Sequence, residues 1–230
     1  MTADCQLDLV LIDSTGRQSV SVTISQLVIA GWTGRDQLAI EHHIKELEAL
    51  GIARPRTTPI YYRASATRLT TAPAIEAVGP HSSGEVEYVL LRHQGRTWVG
   101  IGSDHTDREV EKYGVTVSKQ MCDKPVAPEF WLVDDVAGHW DQLTSRAWII
   151  ENGAEILYQQ GPLAAMLPPE RLITGYFGDT MREGAAMFCG THGAIGGIRP
   201  SARFRFELAD PVLGRTIGAQ YEIAELPIEG

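Results

Sequence analysis

Short β-runs separated by turn residues fill this sequence beyond residue 85. EVEYVLL (85–91), RTWVGIG (96–102), GVTVS (114–118), RAWIIENG with AEILY (146–158), AAMFCG (185–190) and ARFRFEL (202–208) are too short for ordinary helices and rich in β-branched and aromatic residues. The N-terminal part differs. QLDLVLI (6–12) and QSVSVTI (18–24) alternate as strands about a polar turn at Asp13–Arg17, and 37–50 has the 3.6-residue period of an amphipathic helix. Thr33 with an acid three residues later opens that helix, Gly51 stops it, and Ile40, Ile44 and Leu47 mark its buried stripe. Pro55 to Pro59 breaks the chain before a short aromatic strand, PIYYRAS (59–65), and a second helix is expected near 168–177, with Pro169 in its first turn. The expected organisation is a hairpin and helix lobe over 1–65 and a β-rich domain over 66–230.

Charge narrows the partners. Twenty Lys and Arg against twenty-nine Asp and Glu leave a net charge of −9, with no basic run to offset phosphates, so a nucleic-acid surface is disfavoured and the partner is expected to be small. No apolar run reaches the roughly 18 residues of a membrane helix, and the start lacks a signal-peptide pattern, so a cytoplasmic protein without a membrane partner is expected. Three cysteines without CxxC spacing argue against a disulfide framework and a structural zinc site. Cys122 and Cys189 read as small buried hydrophobes.

Glu85 and Glu87 stand two apart in a strand, so both carboxylates project to one side. HQGR joins that strand to RTWVGIG. A hairpin pairing residue 91 with about residue 97 sets Asp104 beside Glu85, while alternation sends His105 to the other face. Three convergent carboxylates repel one another unless a cation sits among them, and Mg²⁺, Mn²⁺ or Ca²⁺ is the natural occupant of an all-oxygen site. Spacing alone also fits the solvated face of an exposed strand.

The wider pattern resembles the fumarylacetoacetate hydrolase (FAH) superfamily. Gly84 to Glu87 is similar to its ExE element, Gly102 to Val110 to "GNDVSARDxQ", and Val117 to Pro128 to "KSFDxxxPxGP". Ile150 to Gly153, Leu163 to Ile173 and Phe188 to Gly196 resemble the family's remaining motifs, in the family's order and with the closest likeness to a bacterial branch catalogued as a domain of unknown function. Glu111 stands where the family has Gln, and His192 where it has Pro.

The resemblance implies an α+β, β-rich fold, a mixed β-roll or pseudo-barrel, working as a homodimer. It implies a metal-dependent hydrolase that cleaves a C–C bond in a small 2-oxo acid or 1,3-dicarbonyl, an acylpyruvate-like carboxylate. Carried over residue by residue, Glu85, Glu87 and Asp104 bind Mg²⁺ or Mn²⁺, with Ca²⁺ as an alternative, and Lys119 supports the enolate left by cleavage. Arg63, Arg108, Gly190 and Thr191 hold the substrate. His43 and Glu46, three apart on the helix, match an HxxE element in which Glu46 orients His43 and His43 activates water. The same site would also serve a hydratase, decarboxylase or enol–keto tautomerase; a non-catalytic binding protein on this fold is the reading from another class.

Overall fold

The expected N-terminal hairpin forms as β1 (Cys5–Asp13) and β2 (Gly16–Ile24), followed by β3 (Gln26–Gly31), helix α1 (Gln37–Ala49) and β4 (Ile60–Ala64). This computed structural model describes residues 4–49 and 54–229. Short pieces come next, β5 (Leu69–Thr70), β6 (Ala74–Val78) and β7 (Ser82–Ser83), then a long hairpin, β8 (Val86–His93) and β9 (Arg96–Ser103). β10 (Thr106–Asp107) leads into helices α2 (Arg108–Glu111) and α3 (Val115–Met121), which precede β11 (Lys124–Pro125), β12 (Glu129–Leu132) and helix α4 (Val133–Val136). A second hairpin, β13 (Thr144–Glu151) and β14 (Ala154–Pro162), and helix α5 (Pro169–Phe177) lead to β15 (Ala185–Thr191), β16 (Arg203–Asp210) and β17 (Arg215–Leu226).

Eight strands make the main sheet, ordered β2-β1-β12-β9-β8-β15-β3-β4, and five make a second, β14-β13-β16-β17-β6. The first is mixed: β1 runs parallel to β12 and β15 parallel to β3, the other neighbours antiparallel. The expected boundary near residue 65 therefore falls inside one sheet, since β1 to β4 share it with the β8–β9 hairpin.

Each face of the main sheet has its own core. Val86, Tyr88, Leu90, Val99 and Ile101 pack against Ile149, Tyr158, Phe204, Phe206 and Tyr221 of the second sheet. On the other face, Leu7, Leu9, Val22, Ile29, Val89, Leu91, Phe130 and Phe188 meet one another, so the sheet curls around an interior of its own. Burial on both faces explains the nearly unbroken apolar run of β8. The curl is tight at β9: a Cβ on Gly100 would stand 2.5 Å from the Phe130 ring, and one on Gly102 would stand 2.8 Å from the Pro125 carbonyl.

One element differs in kind from the sequence reading. GVTVS, expected as a β-run, is the start of α3, with Ser118 and Lys119 buried. β-branched residues cost a helix only a few tenths of a kcal/mol each. Turning Lys119 onto buried carboxylates outweighs that.

Candidate metal centre

Gln94 and Gly95 both take positive φ, 53° and 69°, which is the tight turn that matches strand twist, and it fixes the register of β8 on β9. Leu91 pairs with Trp98, one residue beyond the expected 97, and Val86 pairs with Ser103. One step past the ladder, the Asp104 N–H donates to the Glu85 carbonyl at 2.9 Å. Glu87 shares the inward face with Val89 and Leu91 and is 3% exposed, and Asp104 is fully buried. Carboxylate oxygens of Glu85, Glu87 and Asp104 all lie within 4.8 Å of one another at the end of the curled interior.

Two lysines meet this cluster. Lys119, from α3, makes ion pairs with Asp104 and with Glu85, the latter at 3.4 Å. Lys124, fully buried on β11, lies 3.0 Å from the other Asp104 oxygen and donates to the His105 carbonyl. Burial alone would raise the Asp104 carboxyl, but Lys119 and Lys124 outweigh it and hold its pKa at about 2. Burial would conversely strip Lys119 of its proton, yet Asp104, Glu85 and Glu87 keep it an ammonium. In the metal-free protein Lys119 is therefore a cation.

Among the described residues, Glu87 makes no ion pair, although the Lys119 charge acts on it. Burial first, and then repulsion from Asp104, push its carboxyl well above the ordinary range, although the Gly190 N–H donates to it at 2.7 Å. The folded metal-free protein thus binds a proton that the unfolded chain gives up, and its stability declines as pH rises from the ordinary carboxylate range through that raised value. Three hard oxygen donors, one of them pushed toward its protonated form by burial and by Asp104, are chemically suited to a divalent cation such as Mg²⁺ or Mn²⁺. Binding must then release the Glu87 proton. Calorimetric titration of Mn²⁺ into metal-free protein at mildly acidic pH should give an enthalpy that varies with the ionisation enthalpy of the buffer, and an affinity that rises with pH. An enthalpy independent of buffer would refute this.

Arg108 begins α2, which Asp107 caps through the Val110 N–H at 2.9 Å. Its three nitrogens face three partners: Nε donates to Ser83 at 2.7 Å, Nη1 to Glu111 at 2.9 Å, and Nη2 lies 3.3 Å from Glu85. His105 points to the opposite side, as alternation requires, and bridges the Tyr221 and Ser82 hydroxyls at 2.8 Å each. Burial, then the charges of Lys124 and Arg108, lower its pKa to about 3, so it is a neutral link between β7 and β17.

The remaining expected residues are placed unevenly. Thr191 donates its hydroxyl to the Val86 carbonyl and accepts from Gln159, both at 2.8 Å, so with Gly190 it braces the carboxylates from behind. Arg63 does not join the cluster: its guanidinium donates to the Leu27 carbonyl at 3.2 Å and lies 3.5 Å from the Tyr176 hydroxyl. Strand parity is the reason, because Tyr62 and Ala64 are the β4 residues packed on the inner core. Burial raises the Tyr62 hydroxyl, Lys119 opposes this, and Glu111 and Asp104 add to it, so the ring stands in the field of the site. The backbone of His43 and Glu46 belongs to α1, but their side chains lie outside the described residues. Cys122 and Cys189 are buried free thiols.

A family model described as a protein of unknown function, DUF2848, matches residues 30–221. The chain belongs to the DUF2848 family. No curated protein matches it. Solved structures similar to this DUF2848 protein include three that show its fold. Fumarylpyruvate hydrolase from Pseudomonas aeruginosa, in complex with Mn²⁺ and pyruvate, is 15% identical over 96% of this chain and 98% of that one, with a TM-score of 0.61. The 5-carboxymethyl-2-hydroxymuconate delta-isomerase from Mycobacterium smegmatis is 14% identical over 96% and 99%, with a TM-score of 0.63. Yeast ynq8, a fumarylacetoacetate hydrolase family protein, is 16% identical over 88% and 94%, with a TM-score of 0.61. The DUF2848 chain thus has the β-rich FAH-like fold that its motifs imply. Among its described residues, no helix is long and apolar enough to cross a membrane.

Four residues of the DUF2848 site escaped the sequence reading: Lys124, Tyr62, Gln159 and Thr33, whose hydroxyl donates to the Cys189 carbonyl at 2.9 Å beside Gly190. Only Lys124 carried a signal, as a second lysine in the segment that supplies Lys119.

Proposed function

We propose that this protein is a divalent-metal-dependent enzyme that hydrolyses a C–C bond in a small 2-oxo acid or 1,3-dicarbonyl. The observation that carries the reading is the convergence of Glu85, Glu87 and Asp104 within 4.8 Å, with the Lys119 ammonium against two of them. Bound there, Mg²⁺ or Mn²⁺ would supply Lewis acidity toward a chelating 2-oxo acid. The chain supplies the rest. Lys119 would offset the charge of an enolate released by cleavage, a role its ion pairs with Asp104 and Glu85 support. Glu87 would serve as a third oxygen donor, steadied by the Gly190 N–H. Tyr62 forms an apolar wall near Lys119. Water activation is assigned to His43, with Glu46 as its orienting partner.

The test is turnover of acylpyruvates and oxaloacetate with added Mg²⁺ or Mn²⁺, wild type against His43→Ala. The variant should lose roughly 10²–10⁴ in kcat, the range of a general base, and keep its Mn²⁺ affinity because imidazole is not a ligand. Wild-type turnover in His43→Ala, with hydrolysis absent, would transfer the site to decarboxylation or enol–keto tautomerisation. The isomerase among the fold relatives favours that second reading.

A further inference from the structure

The groups expected to receive a substrate carboxylate are largely engaged already. Arg108 donates to Ser83 and Glu111 and sets its Nη2, which makes no hydrogen bond, 3.3 Å from Glu85 as an ion pair; the Gly190 N–H is engaged by Glu87, and the Thr191 hydroxyl by Val86 and Gln159. Arg63 faces away, and Lys124 has no exposed surface. Glu111 keeps 30% of its side chain open, one guanidinium away from Glu85 and in the same field that acts on Tyr62.

Charge counting gives the same answer. Among the described residues, four carboxylates (Glu85, Glu87, Asp104 and Glu111) and three cations (Lys119, Lys124 and Arg108) make up the cluster. A divalent ion together with the single carboxylate of a 2-oxo acid brings the cluster to neutrality. A second substrate carboxylate would add an unpaired charge next to Glu111 in a largely buried site, the costly arrangement.

We propose that the site selects a 2-oxo acid whose far end is a neutral hydrogen-bond donor, a carboxamide or hydroxyl, and that Glu111 rejects a second carboxylate. This deepens the reading of the site as one that chelates a 2-oxo acid, and rests on it. Glu111 accepts from the neutral end directly. It also neutralises Arg108, which would otherwise attract an anion.

Calorimetry on the Mn²⁺-loaded protein tests this with three probes that share one head: pyruvate, without a tail; 2-oxoglutarate, with a carboxylate tail; and its 5-amide, 2-oxoglutaramate. Wild type should bind the amide at least about tenfold tighter than 2-oxoglutarate, because like charges set against each other suppress the wrong partner. Glu111→Gln, which removes one negative charge and loosens Arg108, should tighten 2-oxoglutarate by roughly tenfold relative to pyruvate. Equal affinity of wild type for the two tails, or an unchanged ratio in Glu111→Gln, overturns the inference while pyruvate binding keeps the chelation reading. Failure of pyruvate itself to bind overturns both. The wild-type comparison stands even if the variant folds poorly.

Discussion

Asp104→Ala should abolish Mn²⁺ binding and also destabilise the metal-free protein by about 3–5 kcal/mol, the cost of removing one member of a buried ion pair. Seen as one of three crowded acids, Asp104 looks dispensable without metal, since its loss relieves repulsion. The structure reverses the sign. Asp104 pairs with Lys119 through one oxygen and Lys124 through the other, and Lys124 has no exposed surface, so alanine strands a buried ammonium. Asp104 is held at about 2, so its contribution is present above the ordinary carboxylate range and is lost as pH falls toward that value. Urea unfolding in the presence of a chelator reads the effect. Asp104→Asn keeps an acceptor for the lysines and should recover part of the stability but not the metal response. An alanine variant as stable as wild type in chelator would remove Lys124 from this account.

Gly190→Ala should be nearly as damaging through the backbone. Gly190 has φ of +99°, and a Cβ there would overlap the Thr33 hydroxyl. Strain of that kind costs about 1–3 kcal/mol before any clash is counted. The displaced backbone also withdraws its N–H from Glu87, and loss of a partner that orients a metal ligand typically weakens metal affinity by about 10–100-fold. Adding Thr33→Ala relieves the clash and leaves the φ penalty, so the double variant should regain only part of the stability. Wild-type melting and Mn²⁺ affinity in Gly190→Ala would show that Gly190 neither needs its conformation nor braces Glu87.

What the sequence discloses about this site is local. The β8–β9 hairpin was readable because its turn chemistry and alternation agree, and that agreement set Asp104 opposite Glu85. Helix α5 was readable from Pro169 at its start. Lys119 carried a misleading signal, since Val115 and Val117 favour a strand and only the buried carboxylates explain a helix there. For β4 the strand was evident but its parity was not: nothing in PIYYRAS says whether Tyr62 or Arg63 faces inward, and the curl of the sheet decides. Glu111 is three residues from Arg108 on the same helix, but the other partners of Arg108, Gly190 and Thr191 belong to segments distant in sequence, so their engagement was invisible, and with it the consequence for substrate charge.

The position of β15 between β3 and β8 bears on how the chain reaches this state. β3 and β8 are not hydrogen-bonded to each other, and the strand that joins them is made more than ninety residues after β8 begins. Until it inserts, both present bare edges with Val28, Ile29, Val89 and Leu90 beside them, the exposure that invites pairing with another chain. Parallel pairing of β15 with β3 across so long a separation makes this a slow event. Gly190 arrives on that same strand, so Glu87 gains its brace only when the last gap in the sheet closes. Aggregation during synthesis and completion of the carboxylate cluster thus compete over a single step.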